Sequence, residues 1–247
     1  MIEPYDSRLV IQGSGRPVVL VPGMDGTGLL FYRQVPLLAR SCRVASYALR
    51  DAATTMEELV ADLRRIVDAA AGHDGRAVVI GESFGGALAM SFALAAPDRV
   101  EELVVLNSFA HLATPVRLRA AMAALKLLPW GAMSVVRRVT AARMHSPHTH
   151  RDEVERFLQL TARATRRGYV NRLQILTMYD IRDRLHDLRV PTLFLAADGD
   201  RLVPAVEQAR FMAARVPGAV VRVLAGHGHI CLIAPDVDLD RILAEWR

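Results

Sequence analysis

The sequence predicts an α/β architecture: a mostly parallel central sheet flanked by helices, interrupted by an inserted helical cap. Three observations predict it. Apolar, β-branched-rich runs alternate with helical patterns through the first 108 residues, the order expected of a parallel sheet. The alternation stops at Phe109 and resumes only at Pro191, and the 80 residues of 109–188 are too many for a structureless loop. That interval is rich in Ala, Leu and Arg, and "RDEVERFLQLTARATRRG" within it carries a helical period. The expected organisation is therefore a core of residues 1–108 and 189–247 with a cap, or lid, of residues 109–188.

Taken in order, "PVVLVPG" (Pro17–Gly23) reads as a strand ending in a Gly-rich loop, and "CRVASYAL" as a second strand. "TTMEELVADLRRIVDAAAG" is an amphipathic helix with Thr54 or Thr55 as its cap and Glu57 or Glu58 three residues on. "RAVVIG" (Arg76–Gly81) is a short, continuous apolar run of the kind that a strand buried on both faces requires. A helix in "GGALAMSFALAAP" leads to a strand in "VEELVVLNS". Beyond the insertion, "PTLFLAAD" and "AVVRVLAG" read as the last two strands.

Composition narrows the functional classes. A 247-residue chain with 52% hydrophobic and 23% charged residues is globular and long enough for a large core. No run is apolar enough for a membrane span, and the N-terminus lacks the pattern of a signal peptide. Two cysteines, Cys42 and Cys231, make no disulfide framework, so a reducing cytoplasm is expected. The net charge of +5 does not point to nucleic acid, because the basic residues are spread out without aromatic interleaving. Residues 109–188 nevertheless hold 14 basic and 6 acidic residues. That surplus is read as solvated helix arginines, with an electropositive lid for an anionic substrate, lipid surface or acidic carrier as the sharper alternative.

The chemistry-bearing motif is "VVIGESFGGA", which places G-x-S-x-G at Gly81, Ser83 and Gly85 between a predicted strand and a predicted helix. A serine on so sharp a turn adopts strained backbone geometry, so the residues two before and two after it must be small. The turn exposes the hydroxyl and aims the N-terminus of the following helix at a developing anion.

With this motif the sequence resembles the α/β-hydrolase superfamily over nearly its whole length. The resemblance implies a Ser-His-Asp triad and an acyl-enzyme, with no cofactor and no metal. It also implies an oxyanion hole made by the backbone amides of Phe84, after the nucleophile, and Met24, in "VPGMDGTG". The His-Gly usual in that loop is Pro22-Gly23 here, a change that a backbone donor tolerates.

The family's acid lies four residues before a proline, which selects Asp200 in "PTLFLAADGDRLVP", with Asp198 as its rival in a turn role. Two histidines compete for the base in "VVRVLAGHGHICLIAP". The family's loop carries about four residues between strand and histidine, which selects His229 and leaves His227 as a supporting loop residue. An apolar helix start is expected to follow.

"LVPGMDGTG", "GESFGGALA" and "GHICL" are further similar to bacterial relatives of the esterase domain of plant phytyl ester synthases. That resemblance implies an ester or thioester substrate and leaves acyl transfer to an alcohol open. The His-x4-Asp signature of the acyltransferase domain in those plant proteins is absent. The apolar "AAMAALKLLPWGAM" is expected to shape an acyl pocket.

Alternatives on the same triad are C–C bond hydrolysis, cofactor-free haloperoxidation and a non-catalytic ligand-binding homologue. "MHSPHTHRDE" approaches the H-x-H-x-D-H of metallo-β-lactamase-like hydrolases but has Glu153 in the last position. A helix start with Thr149 as N-cap and Asp152 as third helical residue explains it more simply. Cys231 reads as a buried small residue.

Overall fold

The computed structural model describes residues 9–112 and 133–246, with a few isolated positions between. Its strands are β1 (Leu9–Gln12), β2 (Arg16–Val21), β3 (Cys42–Tyr47), β4 (Ala77–Glu82), β5 (Val100–Leu106), β6 (Thr192–Ala197) and β7 (Val220–Leu224). They form one sheet in the order β1-β3-β2-β4-β5-β6-β7, in which only β1 runs antiparallel. Strand β1 has no counterpart in the sequence reading. It is four residues long and only half buried, so it lacks the apolar run that marks the others.

The central strands bury both faces, and their alternate residues divide between two cores. Val19, Val79, Val105 and Phe194 face helices α2 (Met56–Ala71) and α3 (Phe84–Ala95). Val18, Ile80, Val104 and Leu195 face the opposite layer, which holds α1 (Gln34–Leu38) and, after the insertion, the C-terminal helix Leu239–Trp246. Helix α2 starts where the sequence places its cap. The Thr55 hydroxyl accepts from the Glu58 amide at 3.2 Å, and the Glu58 carboxylate accepts in return from the Thr55 amide.

Between β5 and β6 lie α4 (Met133–Met144), α5 (Arg151–Thr161) and α6 (Arg166–Met178), followed by a short 3-10 segment, Arg182–Asp187. Helix α7 (Ala205–Ala213) joins β6 to β7, and α8 is the C-terminal helix Leu239–Trp246. Glu153 on α5 accepts from Arg33 at 2.7 Å and from the Tyr32 hydroxyl, tying the insertion to the core. Most of the proposed pocket segment 120–133 lies outside the described residues.

Two local expectations are corrected. The N-cap of α5 is His150, not Thr149, and Asp152 is its second residue. Thr149 is consumed by a preceding turn, in which its amide donates to the Ser146 carbonyl at 2.9 Å. The apolar stretch after His229 forms turns rather than a helix, and α8 starts only at Leu239, beyond Pro235. Among the described residues, no helix is long and apolar enough to cross a membrane.

Candidate active site

Strand β4 delivers Ser83 to the C-terminal edge of the sheet and α3 begins one residue later. Ser83 has φ 55° and ψ −118°, in the left-handed half of backbone space that a non-glycine residue rarely enters. The flanking glycines are there for want of room. A Cβ on Gly81 would lie 2.2 Å from the Gly85 carbonyl oxygen, and one on Gly85 would lie 2.2 Å from that of Val21. The Ser108 hydroxyl donates to the Ser83 carbonyl at 2.7 Å and braces the turn from β5.

Asp200 follows β6, and its side chain is fully buried. Its Oδ1 accepts from the amides of Leu202 and Val203, at 2.8 and 3.0 Å, and its Oδ2 lies 2.6 Å from His229 Nδ1. With Nδ1 so engaged, Nε2 is the ring nitrogen of His229 that remains for a second partner. Ser83 and His229 line the same cavity of about 90 Å³, together with Gly23, Met24, Asp25 and Glu82. Neither the Met24 nor the Phe84 amide donates to an acceptor among the described residues, and Phe84 opens α3, where the first amides have no intrahelical partner.

The rivals occupy different places. Asp198 accepts from the Gly226 amide at 2.7 Å, so it closes the loop below the histidines. His227 is also buried, but its Nδ1 pairs with Ser146 Oγ at 2.9 Å and its Nε2 with Asp236 at 3.3 Å. Both ring nitrogens are thus occupied away from Ser83. The remaining histidines of the metal-like segment also part company. His145 packs edge-on against Phe157, and its Nδ1 meets the Ala141 carbonyl at 2.7 Å, whereas His148 stacks edge-on against His227. Cys231 is buried, and burial pushes its thiol well above the usual range.

Three contributors escaped the sequence reading. Asn107 follows β5 at φ 47°, a conformation that asparagine tolerates better than most residues. It donates to the His229 carbonyl and accepts from the Ala197 amide, both at 2.8 Å, joining strand β6, which leads to Asp200, to the loop that carries His229. A polar residue ending the apolar run "VEELVVLNS" was the available signal.

Arg172 on α6 is 2% exposed. Its guanidinium donates to the carbonyls of Met24 and Asp25, at 2.8 and 3.0 Å, and to the Asp51 carboxylate at 3.1 Å. A Cβ on Gly26, at φ +69°, would strike that guanidinium at 2.5 Å, so the Gly-rich loop is shaped to admit it. Nothing in sequence distinguishes this arginine from its many neighbours.

Glu82 is the third. It is 7% exposed and lines the cavity beside Ser83. Burial above all, with Asp25 and Asp200 adding and His229 opposing, pushes its carboxyl up to about 7.

The family model described as the alpha/beta hydrolase fold matches residues 16–234. RutD of Azorhizobium caulinodans, a protein named provisionally as a carbamate hydrolase, is 30% identical to this chain, covering 94% of it and 92% of its own length. A hydrolase from Pseudomonas aeruginosa PA01 superposes with a TM-score of 0.79 at 25% identity, covering 96% of this chain and 89% of its own. A thermophilic esterase from Thermogutta terrifontis shares the fold at TM-score 0.85 and 24% identity, covering 96% of this chain and 91% of its own.

Proposed function

The chain belongs to the alpha/beta hydrolase fold family, and from that premise we propose that it is a serine-dependent acyl hydrolase cleaving a carboxylic ester or thioester through an acyl-enzyme. The observation that carries this reading is the sharing of one cavity by Ser83 and His229 while Asp200 holds the opposite ring nitrogen of His229. Asp200 fixes the tautomer that leaves Nε2 as an acceptor, and it stabilises the imidazolium once formed.

His229 takes the Ser83 proton as the serine oxygen attacks the substrate carbonyl. The amides of Met24 and Phe84 hold the resulting oxyanion. One such donor contributes about 2.7–4 kcal/mol to the transition state. Collapse expels the alcohol or thiol, which leaves with the proton from His229. Water, activated by the same histidine, then releases the acid. The described helices α4 to α6 act as a cap over this site, anchored at Arg172, Met144 and Glu153.

The test is hydrolysis of short nitrophenyl esters and labelling by a fluorophosphonate. Both should vanish in Ser83→Ala, and persistence of either overturns the assignment. A substrate panel should span esters, thioesters and, because of the name that the RutD relative carries, carbamates. Adding a long-chain alcohol to the assay tests the transferase reading taken from the "LVPGMDGTG" resemblance, which requires ester formation to outpace hydrolysis.

A further inference from the structure

Two carboxyl groups line the cavity beside Asp200's histidine, and they differ in how they are satisfied. The Asp25 carboxylate accepts from the amide of Thr27 at 2.9 Å and from the hydroxyl of the same residue. Glu82 is only 7% exposed, its carboxyl has no hydrogen-bond partner among the described residues, and its oxygens are not among the fully buried unpaired atoms, so they open onto the cavity. Alternation along β4 sends Glu82 to the same side as Ile80, toward the base's loop rather than into α3. A carboxyl that opens onto a cavity and has no protein partner is left to pair with what enters that cavity. No lysine or arginine lines this cavity among the described residues, so His229 is the one basic side chain there that can offset a negative charge.

We propose that Glu82 is a specificity-determining residue that hydrogen-bonds a neutral polar group, a hydroxyl or an amide N–H, on the acyl side of the substrate. The proposal rests on the acyl-hydrolase reading and deepens it. The acyl group is uncharged or cationic, because an anionic one would face Asp25 and Glu82 together. With a carboxyl that titrates near neutrality, Glu82 offers both a donor and an acceptor to such a group. The electropositive-lid alternative for anionic substrates gains no support from these walls.

The experiment compares nitrophenyl esters of hydroxyacetate and propionate, which differ by a hydroxyl in place of a methyl. The ratio of their kcat/KM values, measured in wild type, Glu82→Gln and Glu82→Leu, cancels their intrinsic reactivities. It should fall about 10- to 100-fold in Glu82→Leu and much less in Glu82→Gln, whose amide still pairs with the hydroxyl. A ratio unchanged within about twofold in Glu82→Leu overturns the proposal, including the case where both rates fall together. Calorimetric binding of glycolamide and propanamide to the wild-type protein supplies a second reading that needs neither a variant nor turnover. Glycolamide should bind at least about tenfold more tightly, and equal binding overturns the proposal. Loss of Ser83 dependence in the ester assay would instead remove the acyl-hydrolase reading, leaving the binding comparison to decide the role of Glu82.

Discussion

The Nδ1 atom of His229 lies 2.6 Å from Asp200 Oδ2, and the two side chains are 4% and 0% exposed. A pair so dry and so short acts by holding one tautomer, because the carboxylate accepts only from a protonated Nδ1. Asp200→Asn keeps the shape and offers its amide nitrogen as a donor, which favours the wrong tautomer. Its kcat for ester hydrolysis should fall about 10³- to 10⁴-fold, with fluorophosphonate labelling slowed in parallel. His229→Ala should fall at least as far. An Asp200→Asn enzyme within tenfold of wild type would remove Asp200 from the triad.

His227 makes the opposite prediction from the same loop. Its two ring nitrogens are held by Ser146 and Asp236, and Ser146 also accepts from the Gly228 amide. His227→Ala should therefore retain ester turnover, reduced through a looser loop, and lose about 1–3 kcal/mol of stability in chemical denaturation from the abandoned, buried Ser146 hydroxyl. If His227→Ala abolishes turnover while His229→Ala spares it, the base has been assigned two residues too late.

The backbone at Ser83, the proposed nucleophile, carries a cost that can be measured. Ser83 sits at φ 55°, where a side chain is disfavoured by about 1–3 kcal/mol. Ser83→Gly should abolish turnover and raise stability by about 1 kcal/mol, after the extra chain entropy of glycine is discounted. A Ser83→Gly protein less stable than wild type would show that the side chain stabilises the turn.

Much of this was legible for definite reasons. The elbow could be read because Gly81, Ser83 and Gly85 obey a steric rule, and the clashes that a Cβ would meet at those glycines explain it. The central strands could be read because burial on both faces demands continuous apolar runs. Strand β1 could not, because a half-buried edge strand imposes no such demand. The start of α5 was misplaced by one residue because Thr149 and His150 can each precede a helix, and only the Ser146 turn decides between them. Arg172 and Asn107 were illegible or nearly so, since their partners lie far away in sequence and are mostly backbone atoms, which leave no compositional trace.

Arg172 connects the cap to the proposed oxyanion loop through a planar fork that reaches two carbonyls and one carboxylate. Lysine keeps the charge but not the fork. Arg172→Lys should therefore lower kcat about 10- to 100-fold, the range for losing alignment of one oxyanion donor in part. KM should change less, because the loop's carbonyls orient a transition-state contact rather than a ground-state one. Asp51→Asn, which perturbs the outer end of the fork and the Thr165 hydroxyl that Asp51 also accepts from, should have a smaller effect in the same direction. An Arg172→Lys enzyme with unchanged kcat and raised KM would assign Arg172 to substrate binding instead.

Glu82 links the site to the pH dependence of stability. Its carboxyl is raised from the ordinary value of 4.5 to about 7, chiefly by burial, with Asp25 and Asp200 reinforcing the shift and His229 opposing it. A raised carboxyl favours the folded state while it is neutral. Its contribution is complete below about pH 4.5 and is lost as the pH climbs through 7, where the folded protein must hold the charge. At about 1.4 kcal/mol per unit, the loss across that window is of the order of 3 kcal/mol. Glu82→Gln is neutral at every pH and escapes it. The variant should thus be more stable than wild type at pH 8, by up to that amount, and the gap should close toward pH 4.5. Urea denaturation at several pH values measures the difference directly, and a gap that stays constant with pH would place the ionisation of Glu82 outside this window.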